Sequence, residues 1–152
     1  MKKFTIISSV VALLLSLLAI RDYNNYFKGR SFINYHVLPY GLTPYYWKDY
    51  TLENGNRVLV KNDFYFITGC EEFVGAGCPI PMNSPSTFTI DTIKCYYYNK
   101  DSIYVYCVDE EHNPHWIIPV YDEGWVVFDE IKNVNTENLS TYKCVSIFYD
   151  EK

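Results

Sequence analysis

Residues 95–107, with the sequence CYYYNKDSIYVYC, decide how this chain folds. Two runs of aromatic and β-branched residues flank a polar turn at residues 99–102. Such side chains suit the half-buried surface of a pleated strand. Two strand-like runs joined by a few polar turn residues predict an antiparallel β-hairpin.

The length of the loop sets the register of this hairpin. A three-residue loop at residues 100–102 pairs Cys95 with Cys107, and the side chains on one face are then all tyrosines. They are Tyr96, Tyr98, Tyr104 and Tyr106. A four-residue loop destroys both features, because a slip of one residue moves each partner to the other face. The four tyrosines either pack against a neighbouring sheet or, if exposed, bind sugar rings or a peptide strand.

Outward from this hairpin, the chain continues as short strand-like segments. Residues 54–55 are an Asn-Gly pair, which supplies the two positive φ angles of a tight hairpin turn. We predict strands over residues 32–38, 45–52, 57–60, 64–67, 87–98, 103–108, 115–121, 125–131 and 141–149, with a long loop at 68–85. The predicted fold is all-β, with mainly antiparallel hairpins arranged as a sandwich, a barrel or a hairpin-repeat array.

The N-terminal region is different in character. Residues 4–20, FTIISSVVALLLSLLAI, are uncharged, and as a helix they would extend about 25 Å, close to the thickness of a hydrocarbon core. Leu17 stands where a cleavage site needs a small residue, two places before Ala19. We therefore predict a signal anchor at residues 1–20, with a cleaved signal peptide or a buried helix of a soluble protein as the alternatives. A connector at residues 21–31 and a single β-rich domain at residues 32–152 would follow.

Charge bears on location and partners. Lys2 and Lys3 favour an N-terminus inside the cytoplasm, whereas Arg21, Lys28 and Arg30 weaken that preference. We expect a membrane-anchored protein whose soluble domain lies outside the cytoplasm, in a bacterial envelope or periplasm, or a protein secreted after cleavage. Residues 22–152 carry 10 basic and 18 acidic residues, which argues against a nucleic-acid partner. The expected partners are the membrane and an envelope protein or glycan.

Five cysteines lie beyond the apolar run, and an oxidising compartment would permit disulfide bonds. Cys70 and Cys78 could close the long loop, and Cys95 and Cys107 could bridge the tyrosine hairpin. Cys144 has no assigned role, and the sequence does not determine which cysteines form disulfide bonds with each other.

Candidate metal ligands are concentrated in one turn. Two imidazoles and neighbouring carboxylates could bind zinc or a similar ion if the turn brought them together. The four candidates are Glu110, Glu111, His112 and His115. A solvated hairpin tip explains the same residues more simply, because Asn113 and Pro114 are turn formers. We therefore predict no cofactor.

Residues 98–106, YNKDSIYVY, match the Y-A-K-D-K-N-Y-V-Y signature of the DKNYY family at six of nine positions. The preceding P-S-T-F at residues 85–88, with Ile90, is similar to the P-x-T-F-x-L segment of the same family. The resemblance covers residues 85–106. It implies an exported or envelope-associated bacterial protein with a repetitive architecture, and it implies no particular chemistry.

Motifs for catalysis are not visible in the sequence. It contains no Gly-rich phosphate loop, no G-x-S-x-G, no H-E-x-x-H and no C-x-x-C. We expect a non-catalytic binding or structural module tethered to the envelope. The alternatives are an envelope hydrolase acting on glycan or peptide and an immunity-like inhibitor of an envelope toxin.

Overall fold

The computed structural model describes residues 2–33, 35–68, 73–80, 88–123 and 125–149. Within these ranges one helix precedes nine strands, and every strand pairing is antiparallel. The helix α1 is Lys2–Tyr26, and the strands are β1 Thr43–Glu53, β2 Asn56–Ile67, β3 Phe73–Gly75, β4 Pro79–Ile80, β5 Phe88–Tyr98, β6 Ile103–Asp109, β7 Pro114–Asp122, β8 Trp125–Glu130 and β9 Lys143–Ser146. Short 3-10 segments lie at Pro39–Gly41 and Thr136–Thr141. The predicted all-β fold with one N-terminal helix is confirmed.

The strands form two sheets that pack against each other. One sheet has the order β1-β2-β3, and the other has the order β4-β5-β6-β7-β8, with β9 beside β5. Aromatic side chains fill the space between the sheets: Phe66 lies 5.1 Å from Tyr96 and 6.2 Å from Phe128 between ring centroids. All three are fully buried. Of the predicted arrangements, the structure is therefore the sandwich.

The Asn-Gly hairpin forms as predicted. Asn54 and Gly55 join β1 to β2 with φ angles of 52° and 80°. Both values lie in the left-handed region, which glycine and asparagine adopt at the least cost.

The register of the tyrosine hairpin differs from the predicted one. Tyr98 pairs with Ile103, so the loop between β5 and β6 has four residues. The Asn99 side chain organises this loop, because its Oδ1 accepts hydrogen bonds from the backbone N–H groups of Asp101 and Ser102, both at 2.8 Å. The three-residue loop was therefore the wrong prediction.

The cysteine pairing that followed from that register is also wrong. Cys95 lies opposite Tyr106, and Cys107 lies opposite Ile93, because a bulge separates the two positions on β5. Cys107 is buried and cannot reach Cys95, which is half-buried on the other face of the sheet. The Cys95–Cys107 disulfide is thus excluded, and the four described cysteines, Cys78, Cys95, Cys107 and Cys144, are all free thiols. Cys70 lies outside the described residues.

One strand prediction and one loop prediction also need correction. Residues 32–38 do not form a strand in their described part, and the long loop at 68–85 contains β3 and β4. The Cys78 thiol donates a hydrogen bond to the Phe73 carbonyl at 3.1 Å and so holds the turn between them. β3 pairs with β2 and β4 pairs with β5, and these pairings make strands of residues whose sequence pattern did not predict them.

Helix α1 ends inside the domain. By length and composition, residues Ile6–Tyr26 form a helix that could cross a membrane. Tyr26 is nevertheless only 2% exposed, because it packs in the core of the sandwich. The Phe27 ring stacks on Tyr98 at 5.1 Å, and the Tyr96 hydroxyl donates a hydrogen bond to the Phe27 carbonyl. The first six residues of the predicted connector at 21–31 are therefore helical.

Candidate functional site

The turn between β6 and β7 does not gather the predicted metal ligands. Glu110 and Glu111 are exposed, and His112 is exposed with a φ of 65°. Asp109 instead organises the turn: its Oδ1 accepts a hydrogen bond from the Asn113 backbone N–H at 2.7 Å, and its Oδ2 accepts one from the Asn113 side chain at 3.0 Å. Among the described residues, no group of three His, Cys, Asp or Glu side chains is arranged so that it could hold a metal ion.

His115 is separated from the other predicted ligands and lies between two carboxylates. Its Nδ1 is 2.8 Å from Oε1 of Glu130, and its Nε2 is 3.0 Å from Oδ2 of Asp109. The imidazole also stacks on the Phe88 ring, with 3.7 Å between ring centroids and 7° between ring planes. Asp109, His115 and Glu130 form a triad that joins β6, β7 and β8.

Hydrogen bonds within the triad shift the pKa values of Asp109 and His115 in opposite directions. Desolvation raises the pKa of Asp109, but hydrogen bonds from His115 and Asn113 outweigh it and lower the pKa to about 2. Desolvation lowers the pKa of His115, but the hydrogen bonds to Glu130 and then Asp109 outweigh it and raise the pKa above its usual value. Both ring nitrogens lie within hydrogen-bond distance of a carboxylate oxygen, so neither nitrogen is open to a substrate or a metal ion. This geometry suits a structural role.

Cys107 lies directly opposite His115 across the strand pair. The thiol is fully buried, and this burial, with the nearby carboxylates, raises its pKa to about 12. A protonated, inaccessible thiol is a poor nucleophile. The pair therefore lacks the thiolate that cysteine–histidine chemistry needs.

The predicted four-tyrosine face is split between the two sides of the second sheet. Tyr96 and Tyr98 point into the core, with exposures of 0% and 6%. Tyr104 and Tyr106 are half-buried on the opposite side. With their neighbours they form a surface that we call the outer tyrosine face, consisting of Tyr97, Tyr104, Tyr106, Trp116 and Tyr142.

The rings of the outer tyrosine face contact one another in two groups. Trp116 lies 5.8 Å from Tyr97 and 5.1 Å from Tyr106 between ring centroids. Tyr104 meets Tyr142 edge to face at 5.4 Å. Ring pairs at these separations stabilise one another and hold their orientation.

Two cysteines border the first group. Cys144 pairs with Tyr97 across β5 and β9, and a hydrogen bond between their side chains, followed by desolvation, raises the pKa of Tyr97 to about 12. Desolvation and the neighbouring Cys144 raise the pKa of Cys95 to about 11. The Tyr97 hydroxyl and the Cys95 thiol are therefore both protonated at neutral pH.

The second group opens onto a groove of about 290 Å³ beside the 3-10 segment Thr136–Thr141. Its lining combines two phenol rings, three amides and an aliphatic floor: Tyr104, Tyr142, Asn133, Asn135, Asn138, Ile118, Ile131, Val134 and Leu139. Among these described residues none is charged. Its volume lies just below the range of roughly 300–1,000 Å³ for small-molecule clefts.

Local hydrogen bonds fix the walls of this groove. Oδ1 of Asn135 accepts a hydrogen bond from the Glu137 backbone N–H at 3.0 Å and so caps the 3-10 segment. The Tyr142 hydroxyl lies 2.9 Å from Oγ of Ser102, at the tip of the tyrosine hairpin. Burial and the neighbouring Tyr142 raise the pKa of Tyr104, which keeps its hydroxyl neutral. The groove thus presents rings, hydroxyls and amides in a defined arrangement.

No protein-family model, curated protein or solved structure matches this chain. The sequence identified Tyr104 and Tyr106 as surface candidates but missed the three asparagines of the groove. The only sequence feature that could have indicated these asparagines is the polar composition of residues 133–140, and this composition is equally typical of a solvated turn.

Proposed function

We propose that this chain is a membrane-anchored, non-catalytic binding module that holds a neutral sugar chain in the groove beside the outer tyrosine face. The observation that carries the proposal is the composition of the groove, in which phenol rings and amides line a site without charged side chains. Aromatic faces stack on the apolar faces of sugar rings, and amides both donate and accept the hydrogen bonds that sugar hydroxyls need.

The ligand is inferred to be neutral for two reasons. The described lining offers no cation to pair with a phosphate or carboxylate. The part of the chain beyond Arg21 also carries a net charge of −8, which repels polyanions at longer range.

The arrangement of His115 favours the non-catalytic alternative over the hydrolase. Glu130 and Asp109 occupy both ring nitrogens, so the imidazole is not free to move a proton to or from a substrate. No observation among the described residues specifically favours an immunity-like inhibitor.

Location forms part of the same proposal. We place helix α1 across a bilayer with the β-sandwich outside the cytoplasm, supported by the apolar length of the helix and by Lys2 and Lys3 at its start. A glycan of the bacterial envelope would be available to the groove on that side.

The test is binding of neutral oligosaccharides to the full-length protein in detergent micelles, measured by calorimetry over a panel of hexose and N-acetylhexosamine oligomers. Tyr104→Ala should weaken binding by about tenfold, since a well-placed ring contributes up to about 1.5 kcal/mol. Asn138→Ala should weaken it by a smaller factor, because the loss is one hydrogen-bonding group at the rim.

Tyr106→Ala is the matched control, because Tyr106 is also a half-buried tyrosine of β6 on the outer tyrosine face but does not line the groove. It should leave the affinity unchanged. Equal losses for Tyr104→Ala and Tyr106→Ala, or no saturable binding of any neutral sugar, would contradict the proposal.

A further inference from the structure

The chain turns back on helix α1 immediately after the helix ends. The Arg30 backbone N–H donates a hydrogen bond to the Asn25 carbonyl at 3.0 Å. The Asp22 carboxylate then accepts hydrogen bonds from Oγ of Ser31 at 2.8 Å and from the backbone N–H of Phe32 at 2.9 Å. These contacts return the chain along the helix toward its apolar part.

This reversal brings two apolar side chains to the level of the apolar run. Phe32 is 100% exposed and Ile33 is 56% exposed. Both line a cleft of about 600 Å³ together with Leu18 and Ala19 of α1. A fully exposed aromatic side chain is costly in water, and the position of Phe32 beside Leu18 indicates a different solvent.

We propose that Phe32 and Ile33 insert into the boundary of the same bilayer that α1 spans, where the cleft takes a phospholipid. This inference rests on the membrane anchorage proposed above. Leu18 and Ala19 belong to the uncharged run that would lie in hydrocarbon. Phe32 and Ile33 line the same cleft as these two residues, so they extend an apolar surface that the helix already presents.

The polar side of the cleft fits a phospholipid headgroup. Arg21 lines the cleft one residue after the apolar run ends. A guanidinium at this height binds the phosphate oxygens of a lipid, while the acyl chain lies against the apolar wall. Asp22 lies beside it, but its carboxylate already accepts three hydrogen bonds, from Ser31, Phe32 and Tyr35.

A second membrane contact would hold the β-sandwich at a defined angle. The end of α1 is already fixed to the domain through Tyr26 and Phe27. A helix and a loop that both enter the bilayer prevent the domain from tilting about the helix end. The groove beside the outer tyrosine face would then keep a constant orientation relative to the membrane surface.

The experiment places a tryptophan at position 32. The full-length Phe32→Trp protein and the parent are reconstituted into vesicles of phosphatidylcholine and phosphatidylglycerol whose acyl chains carry bromine near the headgroup, which quenches nearby tryptophan. The difference between variant and parent reports the new tryptophan alone. It should emit at a shorter wavelength than a tryptophan in water, and its emission should be weaker in brominated than in unbrominated lipid.

Leu52→Trp is the matched control, because Leu52 is also an exposed apolar residue, with 73% exposure, and lies near the tip of the β1–β2 hairpin. Its added emission should not be quenched. Flotation of the vesicles tests the anchor separately. A protein that floats with the vesicles but shows equal emission from brominated and unbrominated lipid at position 32 would overturn the insertion and leave the anchor intact. A protein that does not float would overturn both.

Discussion

Replacing Tyr26 with alanine should destabilise the β-sandwich, although this residue belongs to the helix that could cross a membrane. The side chain is 2% exposed and meets Phe27 and Tyr35 edge to face at 5.2 and 5.6 Å. Its hydroxyl donates a hydrogen bond to the Leu42 carbonyl and accepts one from the Val37 N–H, both at 3.4 Å.

The magnitude follows from this burial. Truncating a buried aromatic side chain to alanine costs about 3–5 kcal/mol, because apolar contacts are lost and a cavity remains. The melting temperature of a domain of this size falls by about 4 °C for each kcal/mol of lost stability, so Tyr26→Ala should lower it by about 12–20 °C. Tyr26→Phe keeps the ring and loses two long hydrogen bonds, so its cost should be about 1 kcal/mol.

The assay is thermal unfolding of the full-length protein in detergent micelles, followed by the near-ultraviolet circular dichroism of the aromatic core. Asn24→Ala is the control, because Asn24 is an exposed residue of the same helix. We expect the loss to decrease from Tyr26→Ala to Tyr26→Phe to Asn24→Ala. A melting temperature for Tyr26→Ala within a few degrees of the Asn24→Ala value would refute the conclusion that the end of α1 is part of the core.

Three further predictions concern the triad, the thiols and the turns. Because the pKa of His115 is raised by folding, its ion contacts stabilise the protein fully below the unfolded pKa of about 6.5 and are lost as the pH rises through the folded pKa. His115→Gln should therefore remove the fall in melting temperature above pH 6.5, and a variant that keeps this fall would contradict the assignment. Iodoacetamide should alkylate exposed Cys144 in the folded protein and buried Cys107 only after denaturation. Mass spectrometry of the two cysteine-containing peptides measures both reactions. Equal alkylation rates for the two thiols in the folded protein would be inconsistent with a closed core. Gly29→Ala should cost more than 2 kcal/mol by chemical denaturation, since its Cβ would lie 2.6 Å from the backbone of a neighbouring strand at a φ of 66°. Gly55→Ala, with open space around it, should cost about 1–2 kcal/mol from its positive φ alone, and equal costs for the two glycines would exclude the close approach at Gly29.

Local features of the fold were readable from the sequence. The Asn54-Gly55 pair specified its hairpin because few residues tolerate two successive positive φ angles. The uncharged run at residues 4–20 specified a helix that could span a membrane, since its composition satisfies that condition without help from other segments. In both cases the relevant interactions lie within a few residues of one another.

The candidate sites were predicted only in part. Tyr104 and Tyr106 were correctly predicted to be strand residues that share a face. The length of the loop that separates them from Tyr96 was predicted wrongly. The hydrogen bonds of the Asn99 side chain stabilise the four-residue loop. This loop shifts the strand register by one residue from the predicted one, and Tyr96 therefore lies in the core. Register errors of this kind reverse every inward and outward assignment on a strand.

By itself, therefore, the sequence determined the class of fold, the apolar helix and the hairpin turns, because hydrophobic patterning and backbone preferences act locally. Tertiary structure alone decided three things. It brought Asp109, His115 and Glu130 together from three strands, it buried the end of α1 in the sandwich, and it folded residues 32–33 back beside that helix. The physical reason is that each of these contacts joins different structural elements, so it depends on strand register and packing, which no short stretch of residues encodes.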